Sequence, residues 1–189
     1  RALRRQYPAA HIELAVGSWN APLARLIPDV DLVTTLDLPW IARGAPASSF
    51  GAMGTNVRRW RAQGIDLGVN FEGDIRSHLL LYATGARARA GFDQAGGGPL
   101  LTKRLGYDPR RHVAWNILVL VAALGGAVPR EEDLRLPPMA LPDDAVSRAT
   151  DALAARGEWP RLIGVHPSGG RLVKQWPPES FAEAAAALA

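Results

Sequence analysis

The sequence predicts an α/β protein: one Rossmann-like domain built on a parallel sheet, then the start of a second. Three observations carry this. Short apolar runs alternate with segments of helical period along the whole chain, the pattern of consecutive βα units. A proline-rich stretch interrupts that alternation once, near residue 137, after which it resumes. The composition, 48% hydrophobic and 21% charged, supports a sizeable core, and the lack of cysteine excludes disulfides and thiolate metal sites.

In chain order, residues 1–7 read as a helix closed before Pro8. Residues 11–16 read as a strand ended by Gly17-Ser18, and residues 19–26 as a short helix capped by Ser18. A second strand follows at 31–37, then a Gly- and Ser-containing loop at 42–54, and a helix at 57–63 closed by Gly64. The stretch DLGVNF at 66–71 is a third strand, leading through Glu72-Gly73-Asp74 into a helix at 75–84. Residues 88–92 are a fourth strand, 93–111 a basic glycine-rich loop, and 112–124 an apolar helix closed by Gly125-Gly126. The first domain thus occupies 1–136, and the linker 137–142 carries three of its six residues as proline. A second domain begins at 143 with an acid-capped helix to about Arg156, a strand at 161–166 and a helix at 178–189. The chain opens at Arg1 and closes at Ala189 inside helical patterns, and is expected to be a piece of a longer polypeptide.

Charge is concentrated. Between Arg87 and Arg111 six basic side chains stand against two acidic ones, so the whole net charge of +4 falls in those 25 residues. Such a segment suits phosphorylated substrates or an anionic surface, and equally a solvated loop with scattered arginines. No run reaches the roughly 18 apolar residues a membrane span needs. The four histidines are dispersed, with no metal spacing, and no aromatic-basic interleaving points to nucleic acid.

Two places hold residue types suited to chemistry. VHPSGGRLVKQWPPESF, at 165–181, lies at the carboxyl end of a predicted strand before a helix, where α/β sheets bind ligands. Ser168, Gly169 and Gly170 can offer backbone N–H groups to an anion, and Lys174 adds a mobile positive charge. The alternative is a plain strand-to-helix turn with a solvated lysine. Trp176 either stacks on a base or packs on its own domain. The second place, Glu72-Gly73-Asp74-Ile75-Arg76-Ser77-His78, gathers two carboxylates, an arginine and a histidine at one sheet edge. Asp74 reads as a helix cap and His78 as structural, whereas Arg76 gains nothing from the helix dipole and suits a bidentate anion clamp.

These motifs together resemble glycosyltransferase family 9, the ADP-heptose:lipopolysaccharide heptosyltransferases. GVHPSGGRLVKQWPPESFAEAAAAL is similar to the start of that family's second domain, where a Lys-x-Trp-Pro follows a strand. DLGVNFEGDIRS resembles its Asp-Leu-x-x-Asp-x-Gln-Gly-x-x-Arg-Ser segment, with Asn70 and Glu72 departing from the Asp and Gln. GARARAGFD, YDPRRHVAWNILVLVAALG and ALRRQYPAAHIELAVGSWNAPLARLIPDVDLV match in order and character. The resemblance implies the two-domain GT-B fold and inverting, metal-independent transfer of heptose from ADP-heptose to an acidic lipopolysaccharide core, with no cofactor. It implies a cytoplasmic enzyme, peripheral at the inner membrane. Lys174, Ser168, Gly169 and Gly170 would hold the donor diphosphate, and Arg76, Lys103, Arg104, Arg110 and Arg111 would face the acceptor. The family's Gly-Asp, whose Asp is the general base, would lie before Arg1, and its Asp-x-Gly-x-x-His after Ala189. The stretch alone is therefore expected to be inactive. The alternative is a non-catalytic module that binds phosphate or anionic glycolipid through its basic loop. An oxidoreductase is disfavoured by the lack of a dinucleotide fingerprint.

Overall fold

The computed structural model describes residues 1–41, 50–135, 141–157, 162–167 and 175–188. The chain divides into two compact units, Arg1–Ala140 and Leu141–Ala189.

The first unit follows the predicted alternation. Helix α1 (Ala2–Gln6) precedes β1 (Glu13–Val16). A 3-10 turn at Ser18–Asn20 then leads into α2 (Ala21–Ala24). Ser18 is not a side-chain cap: it lies inside the 3-10 turn, and its backbone N–H donates to Asp37 Oδ1 at 2.7 Å. Strand β2 (Leu32–Thr35) pairs with β1 in parallel. Helix α3 (Phe50–Gln63) starts seven residues earlier than the expected 57, so Phe50 to Gly54 are helical rather than loop. Met53 and Trp60, both buried, supply the reason: the turn carrying Gly51 and Gly54 is held by packing against Leu36 and Leu38. Gly64 closes α3 at φ +67°, as its position before the next strand demands.

Strands β3 (Leu67–Asn70) and β4 (Ala88–Phe92) are joined by α4 (Ile75–Ala83), whose N-cap Asp74 accepts the Arg76 N–H at 2.8 Å. The expected 93–111 loop contains a further strand, β5 (Lys103–Leu105), parallel to β4. Lys103 and Arg104 are thus on an exposed strand, where the ladder and the packing of Leu105 on a core of Ala90, Phe92 and Leu120 override their loop-like composition. Helix α5 (Val113–Ala122) buries Leu120 and Val121 and is capped by His112, whose ring Nδ1 accepts from the Ala114 N–H at 3.2 Å. The strands make two parallel sheets, β1-β2 and β3-β4-β5, rather than one, because no ladder among the described residues joins β1 or β2 to β3.

A partly buried ion pair ties β1, β2 and α3 together. Glu13 accepts from Arg59, from the Thr34 hydroxyl and from Trp60 Nε1 at 2.8 Å. Burial works to raise the Glu13 pKa, but the hydrogen bonds from Arg59, Thr34 and Trp60 prevail and hold it at about 2.

The second unit contains α6 (Asp143–Ala154) and α7 (Pro178–Leu188), neither of which buries a side chain. The strand expected at 161–166 is not formed among its described residues, and Leu162, Ile163 and Val165 are exposed. An apolar run becomes a strand only when a ladder partner takes its backbone groups, and none is described for it.

Candidate functional site

The site begins at the carboxyl end of β3. Asn70 ends the strand, and its Oδ1 accepts the Glu72 N–H at 3.0 Å, turning the chain sharply. Asp74 then caps α4 and accepts two bonds from the Arg76 guanidinium, from Nε at 2.9 Å and from Nη2 at 2.6 Å. Those side-chain bonds, followed by the Arg76 backbone N–H, hold the Asp74 carboxyl at about 2. The guanidinium of Arg76 also lies over the Trp40 ring, 5.2 Å from its centroid. Trp40 Nε1 donates to Ser77 Oγ at 3.0 Å, and the Ser77 hydroxyl donates in turn to Glu72 Oε2. On the far side, the Gln94 side chain packs so close to Gly73 that a Cβ there would sit 2.8 Å from its Oε1. The turn therefore presents Glu72, Asp74 and Arg76 from a frame that holds each of them in place.

Arg76 is half-exposed, but two of its donors are spent on Asp74. An anion approaching it meets a guanidinium whose charge is already balanced, with Nη1 as the donor that has no described partner. This differs from the open clamp its sequence position suggests.

The remaining basic candidates fall into two places. Register aligns Asn70 with Gly91 and Gly91 with Arg104. At about 4.8 Å per strand, Arg104 stands about 10 Å across the sheet from the Asn70 backbone. Lys103 and Arg104 are exposed there. Arg110 and Arg111 lie past the end of β5, on the turn that enters α5. Asn116, buried in α5, anchors that turn: its Oδ1 accepts the Asp108 N–H at 2.9 Å and its Nδ2 donates to the Asp108 carbonyl at 3.0 Å. Arg110 pairs with Asp108, whose carboxyl it holds below the usual range, first through its side chain and then its backbone N–H. Arg111 stacks on Trp115 at 5.2 Å. Both groups flank the carboxyl end of the three-stranded sheet, the end that also carries Arg76.

Ser168, Gly169, Gly170 and Lys174 lie outside the described residues. At the edge of that stretch Trp176 packs on Phe181 of α7, ring centroids 5.5 Å apart, while most of its surface stays exposed. Among the described residues no cluster of three or more His, Asp or Glu side chains is placed to hold a metal ion, and no helix is long and apolar enough to cross a membrane.

Sequence reasoning missed Trp40, Ser77 and Gln94. Trp40 lies 37 residues before its partner Ser77, so no local pattern links them. Ser77 was legible as the Ser after Arg76, but not as the bridge to Glu72.

Set beside known proteins, residues 54–189 match the model of glycosyltransferase family 9 (heptosyltransferase), a span that takes in the turn, the basic segment and the 165–181 stretch. The chain belongs to glycosyltransferase family 9. Solved structures share its fold. A glycosyl transferase family 9 protein from Veillonella parvula DSM 2008 superposes with a TM-score of 0.75 at 19% identity, over 99% of this chain and 53% of that one. E. coli ADP-heptose lps heptosyltransferase II gives 0.66 at 18% identity, over 100% and 55%. E. coli heptosyltransferase WaaC with ADP gives 0.56 at 15%, over 68% and 42%. This family 9 chain thus spans about half the length of the solved structures it matches. No curated protein matches it. The mixed α/β, parallel-sheet architecture expected of a GT-B glycosyltransferase is the one observed.

Proposed function

We propose that this chain carries the acceptor-side domain and the beginning of the donor-side domain of a glycosyltransferase. The enzyme moves a heptose from ADP-heptose to a lipopolysaccharide inner-core acceptor, with inversion and without a metal or cofactor. The observation that carries the reading is the single family match running through both the 72–78 turn and the Lys-x-Trp-Pro stretch. Lys174 and the backbone of Ser168, Gly169 and Gly170 take the donor diphosphate. On the acceptor side Lys103 and Arg104 offer uncrowded charge. Arg110, in an exposed pair with Asp108, exchanges that partner for a substrate anion at little cost. Arg111 and Arg76 present guanidiniums fixed by Trp115 and Trp40.

An inverting transfer needs a base whose pKa approaches the working pH. Glu13 and Asp74, held at about 2, are too weakly basic for that task. The reading gives neither of them that role and keeps it for the Asp of the family's Gly-Asp motif. It also puts the reaction on the cytoplasmic side, with the basic residues toward the anionic inner membrane.

The test is transfer by the complete gene product from ADP-heptose to heptose-deficient lipopolysaccharide core. Transfer reduced by neutralising Lys103 and Arg104 is the expected result. Salt-sensitive core binding without any transfer would instead identify a non-catalytic module that docks on anionic glycolipid.

A further inference from the structure

His78 is fully buried in α4, where packing alone would favour an aliphatic residue. Its Nδ1 lies 2.9 Å from the Asp74 carbonyl oxygen, which also accepts the His78 backbone N–H at 3.1 Å. A carbonyl only accepts, so Nδ1 carries a proton. The ring sits in a slot formed by two glycines from other elements. A Cβ built on Gly91 of β4 would fall 2.9 Å from Nε2. One built on Gly97, in the loop after β4, would fall 2.9 Å from Nδ1 and 3.1 Å from Cγ. No alanine fits either position unless the ring moves. Nε2, and Asn70 Nδ2 on the strand beside Gly91, are buried with no hydrogen-bond partner among the described residues. An unpaired buried nitrogen is costly, and a leucine would avoid it, so the retained donor at Nδ1 needs a reason.

We propose that His78 is a positioning residue for the acceptor face. Its Nδ1–H fixes the Asp74 carbonyl, and with it the capping geometry that holds the Asp74 carboxylate and the Arg76 guanidinium in one orientation. Gly91 and Gly97 keep the slot open for the ring. The Glu72–Ser77–Trp40 chain fixes the other end of the same turn, so His78 controls the half that carries Arg76. The functional part of this inference rests on the proposed glycosyltransferase reading; the tautomer and the lock do not.

The experiment uses the complete gene product. Nitrogen-15 NMR of the wild-type ring is expected to show the proton on Nδ1; a neutral ring protonated on Nε2 overturns the lock. Kinetics then compare three variants. His78→Asn places an amide nitrogen where Nδ1 stood and is expected to keep the acceptor KM within about threefold of wild type. His78→Leu matches the volume without the donor and is expected to raise the acceptor KM by about tenfold or more, leaving the donor KM unchanged. Gly97→Ala displaces the ring but keeps its donor, and its acceptor KM should fall between the two; this reads out the role even where the leucine variant does not fold. Equal acceptor KM in wild type, His78→Leu and Gly97→Ala overturns the positioning role. A wild type that shows Nδ1–H but transfers no sugar overturns the proposed function and bears out the lock alone.

Discussion

The turn after β3 and the helices of the second unit handle their polar and apolar groups in opposite ways. Around residues 72–78, Asn70, Gln94, Ser77, Trp40 and His78 hold the backbone and side chains from several elements at once. In the second unit α6 and α7 bury no side chain, and Leu162, Ile163, Val165 and Trp176 are exposed. The first region is ordered by what surrounds it within its own unit. The second carries apolar groups that its own described residues do not cover. Under the proposed function the 72–78 turn would be a preformed part of the acceptor side, whereas the described apolar groups of the second unit are left uncovered within it.

The largest expected effect is in hydrogen exchange. Amides of β4 and α4 should exchange on the order of a thousandfold more slowly than those of α6 and α7. Comparable protection in both regions would erase the contrast. Next comes Glu13→Gln, which leaves Arg59 with a neutral partner in a partly buried network and should lower stability by about 2–3 kcal/mol in urea unfolding. The sign with pH follows from the depressed folded pKa. The Glu13 contribution is complete above the ordinary carboxyl value of 4.5 and is lost as pH falls toward 2. Wild type should therefore lose stability across that window more steeply than Glu13→Gln, and parallel profiles would show that the pair is not the anchor.

Smaller effects sharpen the picture of the turn. Gly91→Ala forces a methyl to 2.9 Å from His78 Nε2 and 3.1 Å from the Asn70 carbonyl, and should cost about 1–3 kcal/mol by calorimetry. Trp40→Phe removes the bond to Ser77 and should cost about 1 kcal/mol. Trp176→Ala, at an exposed ring, should change stability by less than about 1 kcal/mol; a larger loss would mean that the second unit depends on that ring.

The legible parts of the sequence were those with local causes. Strand β4 has the predicted bounds because five residues between two turn signals allow little else. Asp74 caps α4 as its residue type and position demand. Strand β5 was hidden because Lys-Arg-Leu in a glycine-rich, basic stretch carries no strand period; only the ladder with β4 makes it one. The first turn of α3 was hidden by Gly51 and Gly54, which argue against helix until Met53 finds its place in the core. In the site, the Asp74–Arg76 pairing was within reach, since residues two apart at a helix start can share a capping carboxylate. The His78 slot was not, because its walls come from Gly91 and Gly97, and glycines in a strand and a loop do not announce which ring they admit.

We propose above all that the 165–181 stretch binds a nucleoside diphosphate through Lys174. Calorimetric titration of the protein with ADP, wild type against Lys174→Ala, tests it most directly. Wild type should bind and the variant should bind at least about tenfold more weakly, the loss of one charge-assisted contact. Equal binding by the two proteins would contradict it.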